Sequence, residues 1–385
     1  MACRDVTADC HVGVLFEYPT LNGGERSWLA NLRYLREQPI RFTALAPPDG
    51  PLSEALSRSG VRVESFSCRS EFGNKRELTE LRGELRAAVD RLNVDLLHAN
   101  SLSMSRLAGP VAAAASLPSL GHIRDIVRIS RQAMRDVNCH RRVVTVSAAT
   151  LRFHVDAGLE PTRSHVIHNG VDLDEFSPGP RNTRLLDELG LEHDCRLVGN
   201  IGQLGLRKGQ DVLLSAAEFV VRKLPNTHFV LVGQRDSEKA ESREFETALH
   251  ERTARSGLGG HVHFLGRRTD VVDLLRGFDL IAHVAHQEPL GRVLLESAAI
   301  GCAVVATDVG GTSEIFPDES GSAVLVPDND VAALARAITE LLALPDRRWE
   351  LGQAARRRCE RQFSAELAAG RLLEHYRALA GGCLG

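Results

Sequence analysis

Short apolar runs alternate with longer helix-like segments along almost the whole chain. Segments such as 75–92 and 210–224 place apolar residues at helical spacing. The runs predicted as strands in the first half are 12–16, 41–46, 61–66, 94–99 and 143–147. Those in the second half are 196–202, 228–233, 262–266, 279–284, 303–307 and 323–327. This alternation predicts parallel β-sheets that are covered by helices on both faces.

The strand–helix scheme occurs twice. The chain has 385 residues, which is too many for one ordinary hydrophobic core. A stretch rich in Gly, Pro, Asn and Asp, residues 168–182, separates the two occurrences and is typical of a linker. The sequence therefore predicts an α/β protein with two doubly wound, Rossmann-like domains facing a crevice, which is where such folds usually bind ligands.

Composition argues against several other classes of protein. A formal net charge of −3 does not favour nucleic acid as a partner. The eight cysteines form no Cys-x-x-Cys pair, which argues against a zinc ribbon or a disulfide framework and favours a reducing cytoplasm. The segment 1–10 lacks an apolar signal core, and the longest uncharged run, 107–123, contains Gly and Pro and is too short for a membrane span.

Two carboxylates, Glu288 and Glu296, flank a predicted helix start. Pro289 suits the first helical position, so Glu288 is expected at the cap and Glu296 about two turns further on. That separation, about 10–12 Å at 1.5 Å per residue, matches the reach from a hexose across a diphosphate to a ribose. The dipole of the helix favours an anion at its start. The amides expected to point out of this start belong to Leu290, Gly291 and Arg292.

The segment 286–311 resembles the Glu-x7-Glu signature of retaining GT-B glycosyltransferases, specifically the large family four. Further segments carry the resemblance over nearly the whole chain: a glycine loop at 19–32, an interdomain passage at 146–178, a strand–loop–helix at 199–214 and a closing helix at 363–379. The resemblance implies an N-terminal acceptor domain at 1–175, to which a helix within 364–385 crosses back. It implies a nucleotide-sugar donor domain at 176–363.

The resemblance also implies the reaction, which is transfer of a hexosyl group from a UDP- or GDP-sugar with retention of configuration. Lys208 would neutralise the diphosphate, Glu288 would position the sugar and Glu296 would hold the ribose. Gln203 stands where the family usually has Arg, and Arg207, next to Lys208, is expected to supply the charge. The other donor-binding residues that it implies are Gly23, Gly24, Gly233, Gln234, Arg267, Pro289, Leu290, Gly291 and Arg292.

Candidate residues for the acceptor lie in the first half of the chain. His98 and Asn100 follow a predicted strand and are expected to touch the acceptor. Arg124 stands where the family often has a catalytic His. It cannot act as a base at neutral pH, but it can bind an anionic or hydroxylated group, so it is kept as a catalytic candidate. His122 is a further acceptor candidate, although it is expected to face away from Arg124.

Four arginines, Arg124, Arg128, Arg131 and Arg135, follow one another at spacings of four, three and four. On a helix this spacing forms one basic stripe, which is ordinarily a solvated face. The alternative is docking to anionic lipid head groups or to a lipid-phosphate acceptor. The sequence thus predicts a cytoplasmic protein and leaves peripheral contact with the inner face of a membrane open.

No metal and no cofactor is predicted, because the nucleotide sugar is a co-substrate. Asp172 and Asp174 form an Asp-x-Asp sequence, but it lies in the linker-like stretch and is interpreted as structural. The acceptor class stays open among glycans, lipids and small molecules. Alternatives are an epimerase or phosphorylase of the same architecture, a non-catalytic sugar-binding relative, and a dehydrogenase, which the missing Gly-x-Gly-x-x-Gly spacing disfavours.

Overall fold

A computed structural model describes residues 10–70, 72–255 and 257–381. The predicted absence of a signal core concerns residues that are almost all outside these ranges, as are Cys3 and Cys383. None of the helices within the ranges is long and apolar enough to cross a bilayer.

The chain divides into two compact units. Unit 1 comprises residues 1–170 together with 365–385, and unit 2 comprises residues 171–364. The domain boundaries expected from the sequence differ from this division by five residues at the first crossing and by one at the second.

Unit 1 is built on a parallel sheet. In the described part of the chain its strands are β1 (Cys10–Leu15), β2 (Ile40–Ala46), β3 (Arg62–Ser65), β4 (Leu96–Ala99), β5 (Ser119–Ile123), β6 (Arg142–Thr145) and β7 (Ser164–Val166), in the spatial order β3-β2-β1-β4-β5-β6-β7. The connecting helices are α1 (Gly23–Leu35), α2 (Pro51–Arg58), α3 (Leu78–Leu92), α4 (Leu102–Ala114), α5 (Arg131–Val137) and α6 (Ala148–Asp156). Strand β1 buries Val12 and Val14 on one face and Leu15 on the other, so helices cover both faces. The strand order reverses between β1 and β4.

Unit 2 repeats this plan. Its described strands are β8 (Arg196–Ile201), β9 (Thr227–Val232), β10 (Val262–Phe264), β11 (Leu280–His283), β12 (Ala303–Thr307) and β13 (Val324–Val326), in the order β10-β9-β8-β11-β12-β13. Its helices are α7 (Arg184–Leu189), α8 (Gln210–Lys223), α9 (Ala240–Arg255), α10 (Val271–Gly277), α11 (Arg292–Ile300), α12 (Thr312–Ile315), α13 (Val331–Ala343) and α14 (Pro345–Gln362). The order reverses between β8 and β11, and open parallel sheets bind ligands at the carboxyl ends of such a pair.

A further helix, α15 (Ala365–Ala380), follows unit 2 in the chain but packs in unit 1. Its residues Leu372 and Tyr376 are buried in the same apolar cluster as Val12 of β1 and Phe42 of β2. The two ends of unit 2 lie side by side, because Val171 and Ser364 form an isolated parallel bridge.

The predicted α/β class with two doubly wound domains is confirmed. The predicted strands lie within two residues of the observed ones. The apolar runs do not reveal strands β5 and β7, because β5 contains Gly and His and β7 has only three residues.

The predicted helix start at Pro289 is wrong. Helix α11 begins at Arg292, and Gly291 is its N-cap with a φ of 87°. A φ in this left-handed region cannot continue a right-handed helix. Pro289 and Leu290 are therefore buried in the turn that precedes the helix.

Candidate active site

Two loops at the carboxyl ends of β8 and β11 bring together residues eighty positions apart in the chain. Lys208 ends a 3-10 turn, Leu206–Lys208, in the loop after β8, and Glu288 lies in the loop after β11. Lys208 Nζ is 2.6 Å from Glu288 Oε2. The two side chains are only 19% and 8% exposed. The topology of the sheet thus places a nearly buried ion pair at the point where the strand order reverses.

Backbone contacts fix the two loops against each other. The amide of His286 donates to the carbonyl of Arg207, 2.9 Å away. Gly209 has a φ of 63°, and a Cβ there would collide with the carbonyl of Val284. A residue with a side chain at position 209 would therefore push the Lys208 loop away from the Glu288 loop.

The backbone of Glu288 is held from a third loop, which follows β12. The amide of Gly311 donates to the Glu288 carbonyl at 2.9 Å. Gly310 has a φ of 57°, and a Cβ on it would strike the same carbonyl. The Gly pair that follows β12 in the sequence therefore serves close packing behind Glu288.

The carboxylate of Glu288 has a second partner, His283, the last residue of β11. His283 Nε2 lies 2.9 Å from Glu288 Oε2. Burial raises the pKa of Glu288, but the charge of Lys208 and the hydrogen bond from His283 outweigh it and hold that pKa below its ordinary value. Glu288 is therefore ionised at neutral pH.

His283 was not among the residues selected from the sequence. The available signal was a polar residue at the end of an otherwise apolar strand, five positions before Glu288. Its partner becomes visible only once the turn after β11 is known.

The start of α11 differs from the expected anion site. The amides of Leu294 and Leu295 return to the carbonyl of Gly291, at 3.1 and 3.3 Å. The N–H groups that head the helix are therefore those of Arg292 and Val293, and those of Leu290 and Gly291 precede it.

Glu296 is the fifth residue of α11, so the expected two turns shrink to little more than one. It is buried, and its Oε1 lies 2.6 Å from Nε of Arg292, one turn earlier. Arg292 thus fixes the orientation of the second carboxylate of the signature.

The loops after β8, β9 and β10 are hydrogen-bonded into one edge. Gly233 donates to the carbonyl of Gly266 at 2.8 Å, and Leu204 donates to that of Gln234 at 3.0 Å. A Cβ at Gly233, whose φ is 141°, would collide with the carbonyl of Gly202. This edge fixes the positions of several predicted donor residues.

The side chains of these predicted donor residues differ in exposure. Gln234, Arg267 and Arg207 are exposed, and Gln203 is half-buried. The backbone carbonyl of Gln203 accepts a hydrogen bond from the side-chain Nε2 of Gln210 at 3.0 Å. Arg207 therefore stands beside the ion pair in sequence while its side chain lies in solvent.

In unit 1, Arg124 follows β5 and its guanidinium is held by three residues. Its Nε and Nη2 donate to the backbone and side-chain oxygens of Asn100 at 3.0 and 2.7 Å. Nη1 donates to Asn169 at 2.8 Å, and Nη2 also donates to His122 Nδ1 at 3.1 Å. Arg124 therefore organises its neighbours through most of its N–H groups.

Gly24 and Gly23 lie at the start of α1 in unit 1. A Cβ at Gly24 would lie 2.8 Å from Cδ of Arg124, so a glycine leaves room for that side chain. A Cβ at Gly23 would meet no atom within 4 Å among the described residues. Close packing against Arg124 therefore explains the glycine at position 24 but not the one at position 23.

A chain of hydrogen bonds continues from Arg124 into the core. His122 Nδ1 is 3.3 Å from His98 Nε2, and His98 Nδ1 is 2.7 Å from the hydroxyl of Tyr376 in α15. Because Arg124 donates to His122 Nδ1, the proton of that ring lies on Nε2, which is buried and unpartnered within the described residues. Burial, and next the charge of Arg124, hold the pKa values of His98 and His122 well below their ordinary value. Both rings are therefore neutral.

Two expectations about this region are wrong. His122 does not face away from Arg124, because residues two apart in an extended strand point the same way. The arginines do not form a helical stripe, because α5 begins only at Arg131. Arg128 and Arg135, like Arg131, are exposed, whereas Arg124 belongs to the buried network.

The Asp-x-Asp sequence forms a turn. Asp172 Oδ1 accepts hydrogen bonds from the amides of Asp174 and Glu175 at 3.0 and 3.2 Å. Across the described ranges, no group of three or more His, Cys, Asp or Glu side chains is arranged to hold a metal ion.

Two protein families match the chain. Glycosyl transferases group 1 matches residues 182–358, and Glycosyltransferase Family 4 matches residues 21–175. Together the two matches cover most of the sequence, and they meet close to the boundary between the two units.

Two curated relatives share about a third of the aligned residues. The alpha-maltose-1-phosphate synthase of Mycolicibacterium smegmatis is 33% identical over 231 residues, 58% of this chain and 58% of that protein. The D-inositol 3-phosphate glycosyltransferase of Xylanimonas cellulosilytica is 34% identical over 224 residues, 57% of this chain and 52% of that protein. The chain thus spans about half the length of the curated relatives it matches.

A solved structure shows the same fold. Anabaena Alr3699/HepE, crystallised with UDP and glucose, has a TM-score of 0.84 over 96% of this chain and 100% of that chain, with 24% identity. The two family matches and the shared fold indicate the same family. The chain belongs to the GT-B glycosyltransferases of group 1 and family four.

Proposed function

We propose that this protein is a retaining glycosyltransferase, which moves a hexosyl group from a nucleotide-diphosphate sugar to an acceptor hydroxyl. The observation that carries the proposal is the ion pair of Lys208 and Glu288 at the carboxyl ends of β8 and β11. A buried ion pair contributes little to stability because both charges lose hydration, so its position at a ligand-binding edge supports a functional role.

Lys208 neutralises negative charge on the leaving group. Its ammonium has three N–H bonds, and Glu288 is its one partner within the described residues, so two bonds remain for phosphate oxygens. Cleavage of the anomeric C–O bond places negative charge on the departing diphosphate. Stabilisation by Lys208 therefore increases toward the transition state, as does that from the amides at the start of α11.

The two glutamates bind hydroxyl groups. Glu288 is ionised and accepts hydrogen bonds from the sugar ring, and Glu296, oriented by Arg292, accepts them from the ribose. The exposed side chains of Gln234 and Arg267 are proposed to contact the nucleobase.

The acceptor is proposed to bind unit 1 near the carboxyl ends of β4 and β5, where Asn100 and His122 lie. The low pKa values of His98 and His122 leave both rings as weak bases. We therefore assign removal of the acceptor proton to the departing phosphate, which gives retention of configuration. Arg124 holds Asn100 and His122 in position and is not itself a base.

The relatives support a phosphorylated or polyhydroxylated acceptor, since two of them are named for maltose 1-phosphate and inositol 3-phosphate. A lipid acceptor is compatible with the exposed Arg128, Arg131 and Arg135. Sedimentation with vesicles containing anionic lipid tests the proposed peripheral membrane contact. Binding that is lost in the triple Arg→Glu variant supports it, and no binding of the unaltered protein rejects it.

Thermal-shift titration with UDP, GDP, ADP and dTDP tests the donor site. A nucleotide present at a hundred times its Kd raises the free energy of unfolding by about 2.7 kcal/mol. The matching sugar donor, supplied with candidate acceptors, should give a product whose anomeric configuration is read by proton NMR. Inversion of configuration contradicts the proposal, and epimerisation of the donor without an acceptor favours an epimerase.

A further inference from the structure

The side chain of His283 is 4% exposed and closes the carboxyl end of β11. Its neighbours on the strand, Ile281 and Ala282, are apolar and fully buried, as is Ala306, its register partner on β12. An imidazole in such surroundings requires a hydrogen-bond partner to offset its desolvation. That partner is Glu288.

The two hydrogen bonds to the Glu288 carboxylate end on the same oxygen. Lys208 Nζ and His283 Nε2 both donate to Oε2, at 2.6 and 2.9 Å. None of the described residues donates to Oε1. Two donors on one oxygen fix the rotation of the carboxylate and leave its other oxygen as an acceptor.

The proton on His283 follows from the same geometry. An ionised carboxylate only accepts hydrogen bonds, so Nε2 of His283 must carry the proton. The Glu288 backbone is already held by Gly311 at 2.9 Å, and the side chain is therefore fixed at both ends.

We propose that His283 is a positioning residue, which with Lys208 turns the Glu288 carboxylate so that Oε1 meets a hydroxyl of the transferred sugar. This inference rests on the proposed function of the site. The bond from His283 does not depend on Lys208, so it keeps the carboxylate oriented while Lys208 uses its two remaining N–H bonds for the leaving diphosphate.

Two substitutions separate positioning from packing. His283→Leu keeps an apolar body among apolar neighbours and removes the donor. His283→Gln places an amide N–H close to the position of Nε2 but is less suited to an apolar strand end. A packing role predicts that Leu is tolerated better than Gln, and a positioning role predicts the opposite order in kcat.

The experiment measures kcat and KM for sugar transfer, nucleotide affinity and Tm for the unaltered protein and both variants. Loss of a hydrogen bond to a charged group should lower kcat of His283→Leu about tenfold to a hundredfold, with nucleotide affinity unchanged. His283→Gln should recover most of kcat even where its Tm is lower. Equal kcat for Leu and the unaltered protein, or for Leu and Gln, overturns the inference.

The proton position is tested independently of turnover. Nitrogen-15 NMR of the ligand-free protein should show His283 with its proton on Nε2, and a proton on Nδ1 overturns the inference. Absence of donor binding and turnover in the unaltered protein instead rejects the proposed function, and the inference with it. Normal turnover with an unaffected Leu variant rejects the inference alone.

Discussion

The two units place different chemistry at the carboxyl edges of two similar parallel sheets. At the carboxyl ends of β8 and β11, unit 2 holds two opposite full charges, Lys208 and Glu288, 2.6 Å apart. At the carboxyl ends of β4 and β5, unit 1 holds one cation, Arg124, among amides and two neutral imidazoles.

This difference shows that topology determines where a site lies, whereas residue type determines what the site does. The charged pair of unit 2 suits a reaction in which negative charge develops on a leaving group. The hydrogen bonds of the unit 1 network are mostly satisfied within the network itself. Four predictions test this contrast, beginning with the largest effect.

Substitution of Lys208 by Ala should lower kcat about a thousandfold, because it removes the cation that meets the departing diphosphate. Lys223→Ala, at the exposed end of α8, is the matched control and should keep its turnover. The measurement is steady-state transfer, with circular dichroism as a check of folding. A Lys208→Ala variant that keeps more than a tenth of kcat would contradict the role of Lys208 in stabilising the leaving group.

Substitution of Glu288 by Gln should lower kcat about a hundredfold and leave the affinity for the nucleotide alone within about threefold. The reason is that Glu288 is assigned to the sugar, so its charge is needed only when the sugar is present. Calorimetric titration with the nucleotide and with the nucleotide sugar measures both effects, with the exposed Glu340→Gln as control. Equal weakening of both ligands would assign Glu288 to the diphosphate instead.

Unit 1 should lose stability in mild acid because of its neutral histidines. Burial lowers the pKa of His140 from 6.5 to about 4. The unfolded chain therefore takes up the proton first, and stability that is complete above pH 6.5 is lost as the pH falls toward 4. For this one fully buried ring the loss is on the order of 3 kcal/mol.

The two tryptophans allow this loss to be followed in unit 1. Trp28 is buried in unit 1 and Trp349 is exposed in unit 2, so a Trp349→Phe background leaves Trp28 as the reporter. Urea unfolding at pH 7 and pH 4.5 gives the difference. His140→Gln should reduce it and the exposed His193→Gln should not. A difference unaffected by His140→Gln would contradict the assignment.

The smallest effect is expected for Tyr376→Phe, which removes the hydroxyl bonded to His98. Leaving a buried ring nitrogen without its partner costs about 1–3 kcal/mol. The loss should appear in the Trp28 transition, while the shift caused by nucleotide stays unchanged. If Tyr376→Phe lowered the free energy of nucleotide binding as much as the free energy of unfolding of unit 1, the two regions could not be treated as separate.

The sequence allowed the alternation of strands and helices to be predicted and Lys208 and Glu288 to be selected as site candidates, but the contact between these two side chains was not predicted. Apolar periodicity and a strong motif can be recognised even where an element begins one or two residues away from its expected start. The start of α11 could not be predicted, because Pro289 suits a first helical turn and a preceding bend equally well. The decisive fact is the positive φ of Gly291, at which a Cβ would also lie only 2.7 Å from Leu294 and 3.2 Å from Glu288.

The partners of the histidines were beyond prediction for a different reason. Tyr376 meets His98 across 278 positions of the chain, and His283 meets Glu288 through a turn whose path depends on Gly310 and Gly311. Long-range contacts between polar side chains leave no periodic trace in a sequence. The wrong orientation of His122 was instead an error of strand alternation, which the pattern itself could have corrected.

Helix α15 leaves the ribosome only after all of unit 2 has been made, although its side chains complete the core of unit 1. At typical elongation rates of about 5–20 residues per second, synthesis of unit 2 takes roughly 10–40 seconds. During that time the apolar surface beside Val12 and Phe42 lacks Leu372 and Tyr376. A nascent chain with an uncovered apolar cleft is a natural client for chaperones. Unit 2, whose residues are contiguous, can reach its native state first.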